Sequence, residues 1–272
     1  MKIICTLFMR DEEDVIDEWF KHHHDMFDIF LVTDNGSGDM SAEIAAKYSK
    51  VKRLWRDFDL QYPQERCVNG MVGVARDMGA DWVVNSDADE FWYNIDYLRK
   101  APQDVGAVVT HTQLWHLPIS GVELPYHGWT QACQPYYQWG DLPKAMFRPG
   151  SNTRTMCGNH HVVDPVGRVV ETYEQDANDE LPYFRHYSIR SWRHFHRKVA
   201  NGGPSVENAP HMAGRMAFHW KKWFGALRLG QLQHEYNKLC VSEHPDSGRH
   251  CIWIKDCNVA KRKVKYWVPP NS

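Results

Sequence analysis

The segment Asp87-Ala88-Asp89-Glu90 carries the side chains best suited to chemistry in this 272-residue chain. It directly follows residues 82–85, which are typical of a buried β-strand. Two carboxylates separated by one residue point the same way when the backbone is extended, so Asp87 and Asp89 can face one ligand together. Like charges held that close require a cation, and hard carboxylate oxygens suit Mg²⁺ or Mn²⁺.

An ion bound in this way keeps coordination positions open for water and phosphate oxygens, so a diphosphate is the expected co-ligand. When a sugar leaves a nucleoside diphosphate, such an ion stabilises the negative charge that grows on the leaving group. An Asp-x-Asp pair alone occurs by chance in many loops. Its meaning therefore depends on the elements that hold Asp87 and Asp89.

The first third of the chain alternates strand-like and helix-like segments. Strands are predicted at 2–8, 29–33, 51–55 and 82–85, and helices directly after residue 10, at 40–49 and at 64–78. In the first helix, the acids of residues 11–14 are expected to fill the first turn, where the helix dipole favours them. The alternation predicts an α/β fold with a doubly wound, mostly parallel sheet.

Polar residues follow three of the predicted strands, namely Arg10-Asp11, Asp34-Asn35 and the segment from Asp87 to Asp89. In open parallel sheets, ligands bind outside the carboxyl ends of the strands. The three clusters are therefore expected to converge on one edge of the sheet.

The rest of the chain is less regular. A further strand is predicted at 105–112, and residues 113–165 are rich in aromatic residues, Pro and Gly, which suits a region that shapes an acceptor site. We expect a nucleotide-binding half at 1–112, an acceptor-side half of the same domain at 113–203, and a helical and basic extension at 204–272. The basic cluster between Lys255 and Lys265 is either a solvated helix face or a contact to an anionic membrane.

Bulk properties exclude several classes of protein. A net charge of -2 and a pI near 6.8 give no general attraction for nucleic acid. Seven scattered cysteines without a Cys-x-x-Cys pair indicate neither a disulfide framework nor a structural zinc site. Reduced thiols fit the cytoplasm, with the inner face of the membrane as the place where the basic segment would bind.

Three blocks of sequence resemble a known family in their order: Cys5–Glu13 with the following Glu18-Trp-Phe, Val32–Asp39, and Asp81–Trp92. The family is that of family 2-like GT-A glycosyltransferases, in the branch that also resembles family 92. Weaker matches follow at Pro143-Lys144, at 158–162, and at His186 with Phe195 and Lys198. The resemblance extends to about residue 203 and implies a GT-A fold and a hexosyltransferase that uses a UDP-linked or other nucleotide-linked sugar.

The resemblance also implies roles for individual residues. Arg10, Asp34 and Asn35 would hold the nucleoside, Arg66 would approach the base or the diphosphate, Asp87 would reach the ribose or a metal-bound water, Asp89 would bind the metal, and His186 would complete the metal site. Relatives usually carry a second acid where this chain has Asn35. The implied acceptor is a saccharide or another hydroxyl compound, in surface polysaccharide synthesis.

An inverting transfer also needs a base, because the acceptor hydroxyl loses its proton as the new bond forms. The candidates in the acceptor-side region are Asp141, Asp164 and His161. A retaining mechanism would not need them. The run from His22 to His24 is not a metal site, since consecutive helical residues point in different directions, and exposed or boundary positions are expected for it.

Three other readings remain open. A glycoside hydrolase would also use paired carboxylates, but roughly 5–9 Å apart and without metal, which strand-end acids suit poorly. A nucleotidyltransferase shares the sheet, the metal and the nucleotide, although the chain lacks a Gly-x-x-x-x-Gly-Lys-Ser/Thr phosphate loop. A non-catalytic carbohydrate-binding protein is the third.

Overall fold

The computed structural model describes residues 1–115, 131–133, 143–149, 153–166, 173–176, 181–209, 218–240, 251–253 and 263–267. The base candidate Asp141 lies outside these residues. So does most of the basic cluster between Lys255 and Lys265. No helix in the described ranges is long and apolar enough to cross a membrane.

Four parallel strands form one half of a central sheet: β1 (Ile3–Met9), β2 (Ile29–Asp34), β3 (Val51–Arg56) and β4 (Trp82–Asp87). Their order across the sheet is β4-β1-β2-β3. Each corresponds to one of the strands predicted from the sequence, so the parallel half of the α/β prediction is confirmed. The strand β4 extends two residues beyond the prediction, which makes Asp87 its last residue.

The sheet continues beyond β4 with strands from later in the chain. The strands that follow β4 are β5 (Glu90–Tyr93), β6 (Ala107–Trp115), β7 (Gln131–Cys133), β8 (Pro143–Phe147), β9 (Arg154–Thr155), β10 (Val162–Val163), β11 (Tyr173–Asp176), β12 (Tyr183–His186), β13 (Cys251–Trp253) and β14 (Lys263–Trp267). Next to β4 lies the antiparallel β8, followed by β6, β14 and β11. The strand β12 pairs with β5 so that His186 lies opposite Glu90. This pairing brings residue 186 to the acidic segment.

Helices cover both faces of the parallel strands. The helices are α1 (Ile16–His23), α2 (Ser41–Ala46), α3 (Gln64–Asp77), α4 (Trp192–Glu207), α5 (Phe218–Arg228) and α6 (Leu232–Leu239). One core packs Trp19 and Phe20 of α1 with Cys5 and other residues of β1, while a second packs Met71 of α3 with Ile4. Successive β1 side chains thus enter opposite cores, which confirms the doubly wound arrangement.

Two expectations about helices are wrong. The helix α1 begins at Ile16, so the acids of residues 11–14 precede it instead of filling its first turn. They are held by α4 and the turn before it: Arg190 pairs with Glu12 and Asp14, and Arg197 pairs with Glu13. Within the predicted C-terminal extension, α5 and α6 are helices, but residues 263–267, which include the end of the basic cluster, form β14 between β6 and β11 instead of a helix face.

His23 is a core residue and not an exposed or boundary one. It has no exposed surface, its Nδ1 lies 2.7 Å from the Trp19 carbonyl oxygen, and its Nε2 accepts a hydrogen bond of 2.9 Å from the Trp92 backbone N–H. This pattern requires a neutral ring with the proton on Nδ1. Burial, and secondarily the neighbouring His22, lower the pKa of His23 well below its ordinary value.

The neutral His23 predicts a pH-dependent contribution to stability. Because the folded pKa lies below the unfolded value of about 6.5, this contribution is complete above that pH and is lost as the pH falls through it. The free energy of unfolding of the wild type should exceed that of His23→Gln most at about pH 8 and converge on it in acid, by up to about 1.4 kcal/mol per pH unit. Urea unfolding at several pH values measures this.

The control is Val72→Ala, because Val72 is buried in the core on the opposite face of the sheet and carries no titratable group. Its difference from the wild type should not change with pH. A His23→Gln difference that stays constant or widens in acid would mean that His23 is not held neutral.

Candidate active site at the carboxyl ends of the parallel strands

The register of the sheet places the predicted polar clusters on one edge. Met9 lies opposite Asp34 on β2, and Phe8 lies opposite Asp87 on β4. Arg10, which follows β1, is therefore flanked by the ends of two neighbouring strands. The predicted convergence of the three clusters is confirmed.

Asp89 lies just beyond the end of β4 and is only 5% exposed. One carboxylate oxygen, Oδ1, is 3.4 Å from Nε2 of His186, and the other, Oδ2, accepts a hydrogen bond of 2.8 Å from the Lys198 ammonium. Burial alone would raise the pKa of Asp89, but Lys198 and His186 hold that pKa well below its ordinary value. Asp89 is therefore a carboxylate anion with a cation on one side and an imidazole on the other.

Asp87 has a different set of partners. Its Oδ2 accepts a hydrogen bond of 2.7 Å from Lys144 of β8, and its Oδ1 accepts one of 2.9 Å from Gln64 at the start of α3. The Lys144 side chain is only 3% exposed, and its Nζ also lies 2.9 Å from a carboxylate oxygen of the fully buried Glu90. Burial raises the pKa of Glu90 to about 7, although Lys144 opposes this rise.

The ends of β2 and β3 form a second polar group. Asp34 is fully buried, and its Oδ2 accepts hydrogen bonds from Arg56 and from the Ser37 backbone N–H, whereas its Oδ1 has no hydrogen-bond partner among the residues that the structure describes. The Asn35 amide donates to the carbonyl oxygens of Asp57 and Asp59, at 3.0 Å each. Asn35 thus joins the loop after β2 to the loop after β3.

Arg66 and Phe58 border this group. The Arg66 guanidinium lies 2.9 Å from a carboxylate oxygen of Asp57 and 3.2 Å from one of Asp59, and 61% of its side chain is exposed. Phe58 is 69% exposed although it is a large apolar residue. An exposed aromatic ring at this edge of the sheet suits stacking on a nucleobase.

The described base candidates lie on the hairpin of β9 and β10. Asp164 follows β10, and its carboxylate accepts a hydrogen bond of 3.0 Å from the Val166 backbone N–H. The His161 side chain is exposed, while its backbone carbonyl pairs with Met156 across the hairpin. These contacts do not assign the base to either residue.

The residues around Asp89 fit a divalent ion that is only partly coordinated by protein. Two adjacent ligands of one ion lie about 3 Å apart when the bonds are about 2.1 Å, which is close to the 3.4 Å between Asp89 Oδ1 and His186 Nε2. An imidazole ligand favours Mn²⁺ over Mg²⁺. Among the described residues, no three His, Cys, Asp or Glu side chains group closely enough to hold a metal ion, so other ligands would come from water or substrate.

The two lysines at this site can be recognised by their apolar neighbours in the sequence, although the spacing of motifs does not reveal them. Lys144 is followed by Ala145-Met146-Phe147 within a strand, and Lys198 lies next to Val199 and three residues after Phe195, both on the buried face of α4. A lysine within such an apolar pattern is almost never buried without an acidic partner. The sequence thus indicates that these lysines are paired but does not name Asp87 or Asp89 as the partners.

Comparison with known proteins gives weak likenesses. No family model and no curated protein matches the chain. Among solved structures, it is similar to S. aureus TarS 1–349 (14% identity, 85% of this chain and 71% of that chain, TM-score 0.39), which has also been solved with UDP. It is also similar to glucosyl-3-phosphoglycerate synthase from Mycobacterium tuberculosis in complex with Mn²⁺ and UDP (18% identity, 39% of this chain and 42% of that chain, TM-score 0.30).

A third similar structure is 4-diphosphocytidyl-2C-methyl-D-erythritol synthase (14% identity, 55% of this chain and 76% of that chain, TM-score 0.33). With TM-scores no higher than 0.39, the three likenesses assign neither an activity nor a ligand to this chain.

The buried group of Lys144, Asp87 and Glu90 predicts a strong dependence of stability on the lysine. Lys144→Met leaves Glu90 buried without a counter-ion, which should lower the free energy of unfolding by about 2–4 kcal/mol. Adding Glu90→Gln should restore part of the loss, so the double variant should be more stable than the sum of the single effects predicts. Urea unfolding of the wild type and the three variants at about pH 8 completes the cycle.

The control is Lys222→Met, because Lys222 is 57% exposed and its partner Glu235 of α6 also pairs with Lys238. It should change the free energy of unfolding by less than about 1 kcal/mol. Strict additivity of Lys144→Met and Glu90→Gln would show that the two side chains are not energetically coupled.

Proposed function

We propose that this chain is a metal-dependent glycosyltransferase that moves a sugar from a nucleoside diphosphate, with UDP as the expected nucleotide, to a hydroxyl group of a saccharide or similar acceptor. The observation that carries the proposal is the arrangement of Asp89, with His186 on one carboxylate oxygen and Lys198 on the other. It lies at the edge of a parallel sheet where such folds bind ligands.

The electrostatics of this edge suit a leaving diphosphate. Sugar transfer creates negative charge on the diphosphate, and preorganised positive groups stabilise that charge. A Mn²⁺ or Mg²⁺ ion held by Asp89 and His186 would supply Lewis-acid stabilisation of this charge. Lys198 and Lys144 contact the same acidic segment, and their ammonium groups hold the carboxylates of Asp89 and Asp87 in position.

The group at the ends of β2 and β3 supports a nucleoside. Asp34 is fully buried and holds Arg56 and the Ser37 backbone N–H, so it would position the loop that contacts a nucleoside. Phe58 offers an exposed face for stacking. Arg10 and Arg66 lie at the same edge and would approach the diphosphate or the base.

The contacts of Asp89 with Lys198 and His186 argue against this residue as the acid of a glycoside hydrolase. Such an enzyme needs one carboxyl group whose pKa is raised, so that it can donate a proton to the leaving oxygen. Lys198 and His186 have the opposite effect on Asp89. Glu90 does have a raised pKa, but it has no exposed surface through which to meet a sugar.

The acceptor side rests on sequence alone. Asp141, Asp164 and His161 remain the candidates for the base of an inverting reaction. A surface polysaccharide is the proposed acceptor, and the basic segment from Lys255 is the proposed contact to the membrane that would carry it.

Replacement of Asp89 tests the proposal. The purified protein is incubated with UDP-sugars and Mn²⁺, with and without saccharide acceptors, and free UDP is measured. Asp89→Ala and Asp89→Asn should lower metal-dependent release of UDP by about a hundredfold or more, because the ion loses its carboxylate ligand. Circular dichroism checks that both variants remain folded.

The control is Asp96→Ala, because the Asp96 side chain is 75% exposed and pairs with Arg99 away from the edge. Its rate should match the wild type. Near-wild-type release of UDP by Asp89→Ala at saturating Mn²⁺ would refute the assignment. Pyrophosphate release from a nucleoside triphosphate would instead identify a nucleotidyltransferase.

Phe58 tests the position of the base. A base stacked on an aromatic ring loses about 1–3 kcal/mol of binding free energy when the ring is removed, so Phe58→Ala should weaken UDP binding at least about fivefold. Leu60→Ala is the matched control, since Leu60 is 54% exposed in the same loop but offers no ring. Calorimetric titration with UDP and Mn²⁺ measures both, and equal affinities for the two variants would exclude stacking on Phe58.

A further inference from the structure

Lys198 occupies the carboxylate that the metal would use. Its Nζ donates to Asp89 Oδ2 at 2.8 Å, while the second oxygen of the same carboxylate lies 3.4 Å from His186. The ammonium also donates to the Ser188 carbonyl oxygen at 3.0 Å. Lys198 therefore has two fixed acceptors, although 22% of its side chain is exposed.

The helix that carries Lys198 is attached on both sides of this residue. Before α4 begins, Arg190 pairs with Glu12 and Asp14, and its side chain is only 3% exposed. Beyond Lys198, the Asn201 amide donates to a carboxylate oxygen of Asp11. These contacts hold the backbone of α4 against the loop after β1, which keeps Lys198 within reach of Asp89.

Two of the three acids in this segment therefore have a lysine as counter-ion, and the third shares one of these lysines. Asp87 has Lys144 as its counter-ion, and Asp89 has Lys198. The remaining acid, Glu90, is buried against Lys144. A cation that approaches Asp89 and His186 thus meets a carboxylate that Lys198 already neutralises, whereas a nucleoside diphosphate brings both oxygen ligands and negative charge.

We propose that Lys198 makes the binding of the divalent cation conditional on a diphosphate. In the free protein, the ammonium neutralises Asp89 and repels a second cation. When a diphosphate enters, its oxygens neutralise both the ammonium and the ion, and the two cations then hold one anion together. The inference rests on the proposed function, because it takes Asp89 and His186 as the metal ligands.

A purely structural lysine leads to a different expectation. If Lys198 only supported the fold, its loss would weaken every ligand or none. If Lys198 is a competing cation, its ammonium weakens Mn²⁺ binding in the absence of nucleotide. Its loss should then strengthen that binding. Repulsion between a unit charge and a doubly charged ion about 5 Å apart is worth about tenfold in affinity even when it is screened as in bulk water.

The experiment measures Mn²⁺ affinity by electron paramagnetic resonance, with and without UDP, for the wild type, Lys198→Met and Lys198→Arg. The wild type should bind Mn²⁺ at least about tenfold more tightly with UDP than alone. Lys198→Met should bind Mn²⁺ alone about tenfold more tightly than the wild type does, and UDP should improve its affinity less. Lys198→Arg keeps the charge and should behave like the wild type.

Lys222→Met is the matched control, because it removes a lysine of α5 that pairs with Glu235 and not with the acidic segment. Its Mn²⁺ affinities should equal those of the wild type. Thermal melting checks the folding of Lys198→Met, and Mn²⁺ alone should raise the melting temperature of this variant more than that of the wild type.

The outcomes separate the inference from the proposed function. If Mn²⁺ binds the wild type together with UDP, but Lys198→Met binds Mn²⁺ alone no better, the role of Lys198 is wrong and the proposed function stands. If Mn²⁺ binds the wild type equally tightly with and without UDP, the inference is also wrong. If Mn²⁺ binds neither alone nor with any nucleoside diphosphate, the proposed function fails and the inference fails with it.

Discussion

The pairing of two adjacent carboxylates with two separate lysines is the interaction on which the arrangement of this edge depends. Asp87 and Asp89 are separated by one residue, and both are largely shielded from solvent by the surrounding chain. Their charges would repel each other without counter-ions. The parallel strands that present them carry none at this position, so Lys144 of β8 and Lys198 of α4 supply the cations from later parts of the chain.

The same dependence attaches α4 to the rest of the molecule. Glu12 and Asp14 follow β1, and their counter-ion Arg190 precedes α4. Buried ion pairs often add little net stability, because the charges lose their hydration, but an unpaired member is costly. Their effect is thus to select one position for α4, since displacement of the helix would leave several charges unpaired. In that position, α4 brings Lys198 to Asp89. The strand that precedes α4, β12, brings His186 to the same carboxylate.

The parts of this structure that the sequence predicted are those with a local pattern. Alternating apolar runs located β1 to β4, and the residues at their ends located the edge where Asp34 and Asp87 lie. Partners of distant residues had no such pattern: Lys198 is 109 residues from Asp89, and Arg190 is 176 residues from Asp14. The acids of residues 11–14 fit the local pattern of a first helical turn, but in the structure they precede α1, and those of residues 12–14 pair with arginines from distant parts of the chain. The strands after β6 have only two to five residues, which is too short for a clear alternation of apolar and polar residues. Several of them also pair with strands that are remote in sequence.

His186 is an intermediate case, because the sequence suggests its role but not the contact that places it. The resemblance to a family suggested it as a metal ligand, and the pairing of β12 with β5 gives the physical reason that it reaches Asp89. Because His186 lies opposite Glu90 in that ladder, its ring is carried to the acidic segment by backbone hydrogen bonds rather than by the attraction of any ion. The two proposed ligands are therefore preorganised before a metal arrives, while Lys198 keeps their charge balanced. A site whose ligands are positioned by the backbone, and whose carboxylate is already paired with a lysine, suits a ligand that brings its own negative charge, since the protein then has little to rearrange when that charge grows.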